Sequence, residues 1–309
     1  MKWAIIAHAT GDSQRRSRST LPGTANGPVG RRSRMTPKLH PLNRDFRWKP
    51  RGGPYRRISS AQARQWSEQG FFVLEDAVEP TTLERLIAEI DPWEARTEAA
   101  LRELPKGRRF INRADEITFT VHLVLRSTFL RDFCAGPLFR DLAWDLVGPD
   151  VRLYWDQAVY KKPSVPAPFP WHQDNGYGYL DPQAYLTCWI ALNDATTSNG
   201  CPRVLPGLHR HGTLEHWTTD LGYCCADEDA EGIAAPARAG SVVVFSSLTP
   251  HATGPNLTSE VRKAYIVQLA PDGARRMEPD ESAGGYRPVP QNDPDRQFSI
   301  LVSGRSPGT

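Results

Sequence analysis

The chain is expected to be mainly β with flanking helices: an antiparallel sandwich or barrel, with the helical N-terminal third packed outside it. Three observations carry this. Beyond Gly148-Pro149 the apolar residues recur with a period of two, as in Val151, Leu153 and Trp155 alternating with Arg152, Tyr154 and Asp156. Turn signals such as Asn199-Gly200 separate the runs, and no long helical pattern intervenes. With 309 residues and 39% hydrophobic content the chain can bury a substantial core, as one large domain with appendages.

Residues 1–50 are rich in Arg, Gly, Ser, Thr and Pro with no apolar period, and are expected to form a disordered basic N-terminal extension. Met35 offers an internal translation start. Folded structure is expected to begin near Ser59, where Ser59 and Gln62 stand in capping-box spacing and open a short helix closing at Gly70. Phe71-Phe72-Val73-Leu74 reads as a strand. Pro80 then starts a second helix whose Leu83, Leu86, Ile87 and Ile90 form one apolar stripe. Residues 127–147 read as helical, split by Gly136-Pro137. Strands follow at Val151, at Tyr185 to Leu192, Arg203 to Leu205, Ser241 to Phe245 and Lys263 to Leu269. The expected organisation is an extension over 1–50, a domain over 51–285 and a C-terminal tail over 286–309.

The formal charge is only +3, and residues 1–51, with Arg15, Arg16, Arg18, Arg31, Arg32 and Arg34 among others, carry the excess against Asp12 and Asp45. The rest is slightly acidic, so no nucleic-acid partner is indicated for the folded part. Five cysteines with no CxxC spacing argue against a disulfide framework and a thiolate zinc site, and fit a reducing, cytoplasmic setting. No apolar run approaches the roughly 20 residues that cross a bilayer, so no membrane partner is expected. The brief apolar patch of MKWAIIAHA makes a poor secretory signal, and the C-terminal Ser306-Pro307-Gly308-Thr309 is no peroxisomal address.

Within WHQDNGYGYLDP, His172 and Asp174 lie two positions apart and so share one face of a strand, with Gln173 turned away. Such a pair is also what a surface hydrogen-bonded couple looks like. A third ligand is available at His251, just beyond the apolar run Ser241 to Phe245, and two histidines with one carboxylate make the facial triad of non-haem Fe(II) oxygenases. Arg262 follows eleven residues (262 − 251) after His251, and a guanidinium there is either the bidentate partner of a bound carboxylate or half of a structural ion pair.

At this point the sequence resembles the phytanoyl-CoA dioxygenase-like family of Fe(II)/2-oxoglutarate oxygenases. From about Ser59 to Leu269 the segments QWSEQGFFVLEDAVEP, YKKP before PWHQD, CWIALND before NGCPRVLPGLHRHG, and AGSVVVFSSLTPHATGPNLTSEVRKAY follow the family's order. The resemblance implies a double-stranded β-helix, the jelly-roll or cupin-like core, with His172, Asp174 and His251 as iron ligands. It implies Arg262 on the distal carboxylate of 2-oxoglutarate, Thr253 as the hydroxyl beside it, Trp189 as an aromatic neighbour and Lys162 as the lysine of a strand-end Lys-Pro. Tyr177 falls on an aromatic position at the mouth. Gln157, one strand earlier, faces either the pocket or solvent. Each of these has a structural alternative: core packing for Trp189, a solvated edge charge for Lys162, a loop anchor for Tyr177. The insertion holding Cys224, Cys225 and Asp227 to Glu231 is either a solvated loop or a lid.

The implied cofactors are Fe(II), 2-oxoglutarate as cosubstrate and O2, with ascorbate as reductant in assays. The implied reaction hydroxylates an unactivated C–H bond of a small organic, secondary-metabolite-like substrate and releases succinate and CO2. Because Asp174 keeps the carboxylate ligand, hydroxylation is favoured over halogenation. Desaturation, epimerisation, cyclisation and acyl-CoA hydroxylation use the same triad, and a cupin-like binding protein without catalysis is the alternative of another class.

Overall fold

The computed structural model describes residues 37–282 and 284–307, so Met35 and most of the expected basic extension lie outside the described residues. Helix α1, Ser60–Gln69, begins as the capping box requires. Ser59 Oγ accepts from the Gln62 amide at 3.2 Å, and Gln62 Oε1 accepts from the Ser59 amide at 2.9 Å. It stops at Gly70, whose φ of 84° is left-handed and where a Cβ would fall 2.5 Å from Thr249 Oγ1. Strand β1, Phe71–Leu74, leads to α2, Pro80–Arg102, with Pro80 in its first turn. The helix runs on through Pro92 for 23 residues, longer than its apolar stripe alone indicates.

Strand β2, Ile117–Val121, precedes α3, Thr128–Cys134, and α4, Pro137–Leu146, which are separated at Gly136-Pro137 as expected. Then come β3, Val151–Lys161; β4, Phe169–His172; β5, Leu186–Ala191; β6, Pro202–Val204; β7, Ile233–Ala234; β8, Val242–Ser246; β9, His251–Thr253; β10, Arg262–Pro271; and β11, Ser299–Leu301. The larger sheet has the order β1-β8-β5-β10-β3-β2, all antiparallel, with a short hairpin over 108–113 beyond β2 and β11 paired to the start of β3. The smaller sheet has the order β7-β6-β9-β4. The two face each other as a double-stranded β-helix, with Trp189, Val243, Phe245 and Ala264 of the larger sheet packed against Cys201, Val204 and Ala235.

The outer face of the larger sheet is covered by helices. Cys188, Ile190, Val242, Val244, Tyr265 and Val267 pack on Leu86, Ile90, Leu130, Phe139 and Leu142. Burial on both faces explains why 242–245 reads as a continuous apolar run instead of an alternating one. Truncating Leu86 or Ile90, both without exposed surface, to alanine costs about 2–5 kcal/mol by the usual cavity penalty. No helix among the described residues is long and apolar enough to cross a membrane.

Four details depart from the sequence reading. The Asn199-Gly200 turn exists, with Gly200 at φ 88° and a Cβ there falling 2.5 Å from Gly254 O, yet it joins β5 to β6 in the opposite sheet and closes no hairpin. Residues 37–50 are packed on the body: Asn43 Nδ2 donates to His211 O at 2.8 Å and Thr213 O at 2.9 Å, and the Trp48 ring meets His209 edge-on. The expected tail is part of the fold as well, since residues 285–290 pair with 275–280 and Ile300 and Leu301 are buried. Finally, the alternation in β3 breaks. Leu269 pairs with Leu153 and Gln268 with Trp155, so Tyr154 is an extra residue, a β-bulge that reverses which side chains face inward.

Candidate metal and cosubstrate site

Strand β4 ends at His172, Gln173 stays extended at φ −104° and ψ 142°, and Asp174 opens a single 3-10 turn, Asp174–Gly176. The strand alternation therefore carries His172 and Asp174 to one side and Gln173 to the other. Gln173 is locked there: Nε2 donates to Gly212 O at 3.0 Å and Leu248 O at 2.6 Å, and Oε1 accepts from the Leu214 amide at 2.6 Å. His216 Nδ1 donates to Leu214 O at 2.9 Å, which leaves Nε2 to accept from the Gln173 amide at 3.0 Å. A Cβ at Gly176 would lie 2.2 Å from that imidazole, so the turn requires glycine.

His251 opens β9 directly opposite His172, with the two rings 4.1 Å apart. Each imidazole donates from Nδ1 to a carbonyl, His172 to Pro170 O at 2.8 Å and His251 to Thr249 O at 3.0 Å, leaving both Nε2 atoms as acceptors. Asp174 Oδ2 accepts from Thr187 Oγ1 at 2.6 Å, while Oδ1 stands 3.7 Å from His251 Nε2. Ligand atoms of the three side chains lie within 4.8 Å of one another, the only such His/Cys/Asp/Glu group among the described residues. Burial, aided for His172 by its neighbour His251, lowers the imidazoles to about 3 for His172 and about 4 for His251, so both are neutral at physiological pH. Burial also raises Asp174 above the ordinary carboxylate range. Two neutral imidazoles and an acid pressed together out of water are the donor set of a divalent metal ion, and they fit one.

Beside this cluster lies a cavity walled by Ile117, Phe119, Val159, Phe169 and Pro202, which His172, His251, Arg262 and Thr253 also line. Arg262 opens β10 and is fully buried, yet Nε, Nη1 and Nη2 have no hydrogen-bond partner, nor does Thr253 Oγ1. Its guanidinium carbon lies 5.2 Å from the Trp189 ring centre, and burial lowers its pKa to about 10, which leaves it charged. Each buried donor left unpaired costs about 1–3 kcal/mol, and an anion accepting from the fork of the guanidinium would remove that cost. A carboxylate has that geometry, and the neighbouring hydroxyl can donate to it as well.

The Tyr177 ring centre is 5.3 Å from that of His172, and its Oη accepts from the Tyr223 amide at 3.2 Å. Two expectations fail. Lys162 does not reach the cavity; its Nζ pairs with Glu94 Oε1 at 2.5 Å and Glu98 Oε2 at 3.6 Å on α2, outside the barrel. Alternation extended from the outward-facing Val151 and Leu153 puts residue 162 inside, and the bulge at Tyr154 moves Lys161 there in its place. Lys161 is Arg262's cross-strand partner, is buried, and donates to Gly254 O at 2.6 Å; burial and the nearby Arg262 lower it to about 7. Gln157 is the second. It shares the inward face, in register with Ile266 and Trp189, but it does not line the arginine cavity, and its Oε1 accepts from Trp155 Nε1 at 3.1 Å.

Sequence reasoning missed Thr187, Lys161 and His216. Thr187 stands two residues before Trp189 on one strand, so parity alone could have placed it inside; nothing local marks His216.

A jelly roll whose His-Asp-His cluster adjoins a cavity with a partnerless buried guanidinium is the architecture of a metal-dependent oxygenase that takes a carboxylate cosubstrate. The chain belongs to the phytanoyl-CoA dioxygenase (PhyH) family, whose model matches residues 66–264, and it is an Fe(II)/2-oxoglutarate-dependent dioxygenase. It is 28% identical over 145 residues to a phytanoyl-CoA dioxygenase of Arabidopsis thaliana, a match covering 45% of this chain and about half, 51%, of that protein. Over 217 residues it is 26% identical to a methylphosphonate hydroxylase of Gimesia maris, covering 68% of this chain and 80% of the other. In structure it is similar to the non-heme alpha ketoglutarate dependent carbocyclase SnoK from nogalamycin biosynthesis, with TM-score 0.60, 24% identity and coverage of 78% and 92%.

Proposed function

We propose that the protein hydroxylates an unactivated C–H bond of a small organic substrate in the cytoplasm, using Fe(II), 2-oxoglutarate and O2. His172, Asp174 and His251 hold the iron, and Arg262 and Thr253 hold the distal carboxylate of 2-oxoglutarate. Bound iron supplies, with 2-oxoglutarate and dioxygen, the oxidising power that breaks the C–H bond and leaves succinate and CO2.

The protein's own part is positioning. The Nδ1 hydrogen bonds aim the two imidazoles, Thr187 turns one oxygen of Asp174 away from the cluster, and Trp189 flanks the guanidinium. Apolar walls keep water from competing for Arg262. All five cysteines are unpaired, in keeping with a reducing compartment.

The single observation that supports the reading best is the fully buried Arg262 with no partner for any of its three nitrogens. Purified protein supplied with Fe(II), ascorbate and 2-oxoglutarate is expected to release succinate slowly without substrate, and His172→Ala to release none. Equal succinate from both would refute the assignment.

A further inference from the structure

Resting on the proposed function, this inference concerns which substrates the mouth admits. Beyond Tyr177 the wall continues onto a short hairpin, Arg108–Arg109 paired with Asn112–Arg113, whose turn is Phe110-Ile111. Phe110 has φ 54°, and a two-residue turn with positive φ at its first position normally takes glycine there. A bulky side chain in the left-handed region is a genuine outlier, and such strain concentrates where a site uses it. The ring is not hidden to compensate: Phe110 is 52% exposed.

Its surroundings say what it faces. The Phe110 ring stands 6.2 Å from Tyr177 and 5.9 Å from Tyr223, both edge-on, and those two tyrosines lie 5.1 Å apart. Tyr177 in turn meets the metal-side His172 edge-on. Since the Tyr177 hydroxyl already accepts from the Tyr223 amide, it is the ring that Tyr177 turns to its neighbours. Arg113 Nη2 donates to Asp220 O at 2.7 Å and bolts this hairpin to the one over 217–224 that carries Tyr223. Ile111 and Tyr177 also pack with Phe119, Val159 and Phe169, which line the cosubstrate cavity, so the aromatic cluster adjoins that cavity through shared packing.

We infer that Phe110, Tyr177 and Tyr223 form the wall on which the substrate rests, and that the substrate is a flat aromatic or fused-ring molecule, not a flexible acyl chain. Aromatic rings hold another ring by edge and face contacts at fixed angles, which a saturated chain does not reward. Exposed Arg108 and Arg109 directly precede Phe110, so on that side the hairpin turns from apolar to charged.

The test uses protein loaded with Mn(II) and 2-oxoglutarate, with anthraquinone-2-sulfonate as the flat probe and decanoate as the chain. Affinity is read by titration calorimetry, and proximity by Mn(II) broadening of the probe's proton signals. The wild type binds the ring more tightly than the chain, with broadened signals. Phe110→Gly and Phe110→Leu each weaken ring binding about tenfold, the size of an aromatic contact plus its buried area. Phe110→Gly keeps or raises the melting temperature, because glycine relieves the left-handed strain, and it leaves 2-oxoglutarate affinity in place. Decanoate binding as tightly as the ring, no ring binding, or ring affinity unmoved by both variants overturns the inference. Failure of the wild type to bind 2-oxoglutarate, measured in the same samples, strikes the proposed function instead.

Discussion

Two cations on opposite faces of the same sheet show what separates structure from function in this molecule. Lys162, outside the barrel, meets Glu94 and Glu98 from α2, and Glu94 also accepts from Thr118 Oγ1 at 2.7 Å. Arg262, inside, meets an aromatic ring, apolar walls and an idle hydroxyl. Both are withdrawn from water, but the fold itself satisfies only the first. A buried charge that the chain neutralises holds the chain together; one that it leaves alone is held ready for something that arrives from solution.

The largest effect that tests this contrast is on the cosubstrate. Arg262→Ala is expected to raise the KM for 2-oxoglutarate at least about a hundredfold in succinate assays, since a bidentate charge-assisted pair exceeds 3 kcal/mol. Lys162→Met leaves that KM unchanged. Stability then runs the other way. In urea unfolding, Lys162→Met is expected to cost about 1–3 kcal/mol, because it strands two largely buried carboxylates, whereas Arg262→Met costs nothing or stabilises the unliganded protein. A smaller effect attaches to Thr253: alanine there is expected to weaken 2-oxoglutarate binding by about 1 kcal/mol, several-fold by calorimetry, with no change in metal affinity.

A separate effect, spread over the alkaline range, is a pH slope from Lys161. Its folded pKa of about 7 lies below the ordinary lysine value, so between the two the unfolded chain keeps a proton that the folded chain has shed. Stability contributed by this group therefore rises as pH climbs from about 7 toward 10, and is lost as pH falls back through that window. Lys161→Met removes the slope, and urea midpoints of both proteins at three pH values in that range report it.

Much of this contrast was legible in the sequence. The capping box at Ser59, the stripe on α2 and the break at Gly136-Pro137 are local chemistry, and local chemistry survives folding. Strand parity and spacing raise His172, Asp174, His251 and Arg262 as candidates, and the resemblance to the family is what gives them roles. What failed was parity carried across a bulge: Tyr154 is one extra residue with no glycine or proline to announce it, and it exchanges Lys162 for Lys161. The hairpin over 108–113 escaped because KGRRFINR has no apolar alternation, its order coming from Arg113 and the hairpin over 217–224. Residues 37–50 and β11 are short segments that gain order only from partners far along the chain, Thr213 and Arg152 among them.

The measurement that bears most directly on Arg262 compares 2-oxoglutarate with 2-oxobutyrate, which lacks the distal carboxylate, as ligands of the Mn(II)-loaded protein and of Arg262→Ala. The wild type is expected to prefer 2-oxoglutarate by at least about a hundredfold, and the variant to bind both alike. A wild type indifferent to the missing carboxylate, or a variant that still discriminates, would contradict the role given to that guanidinium.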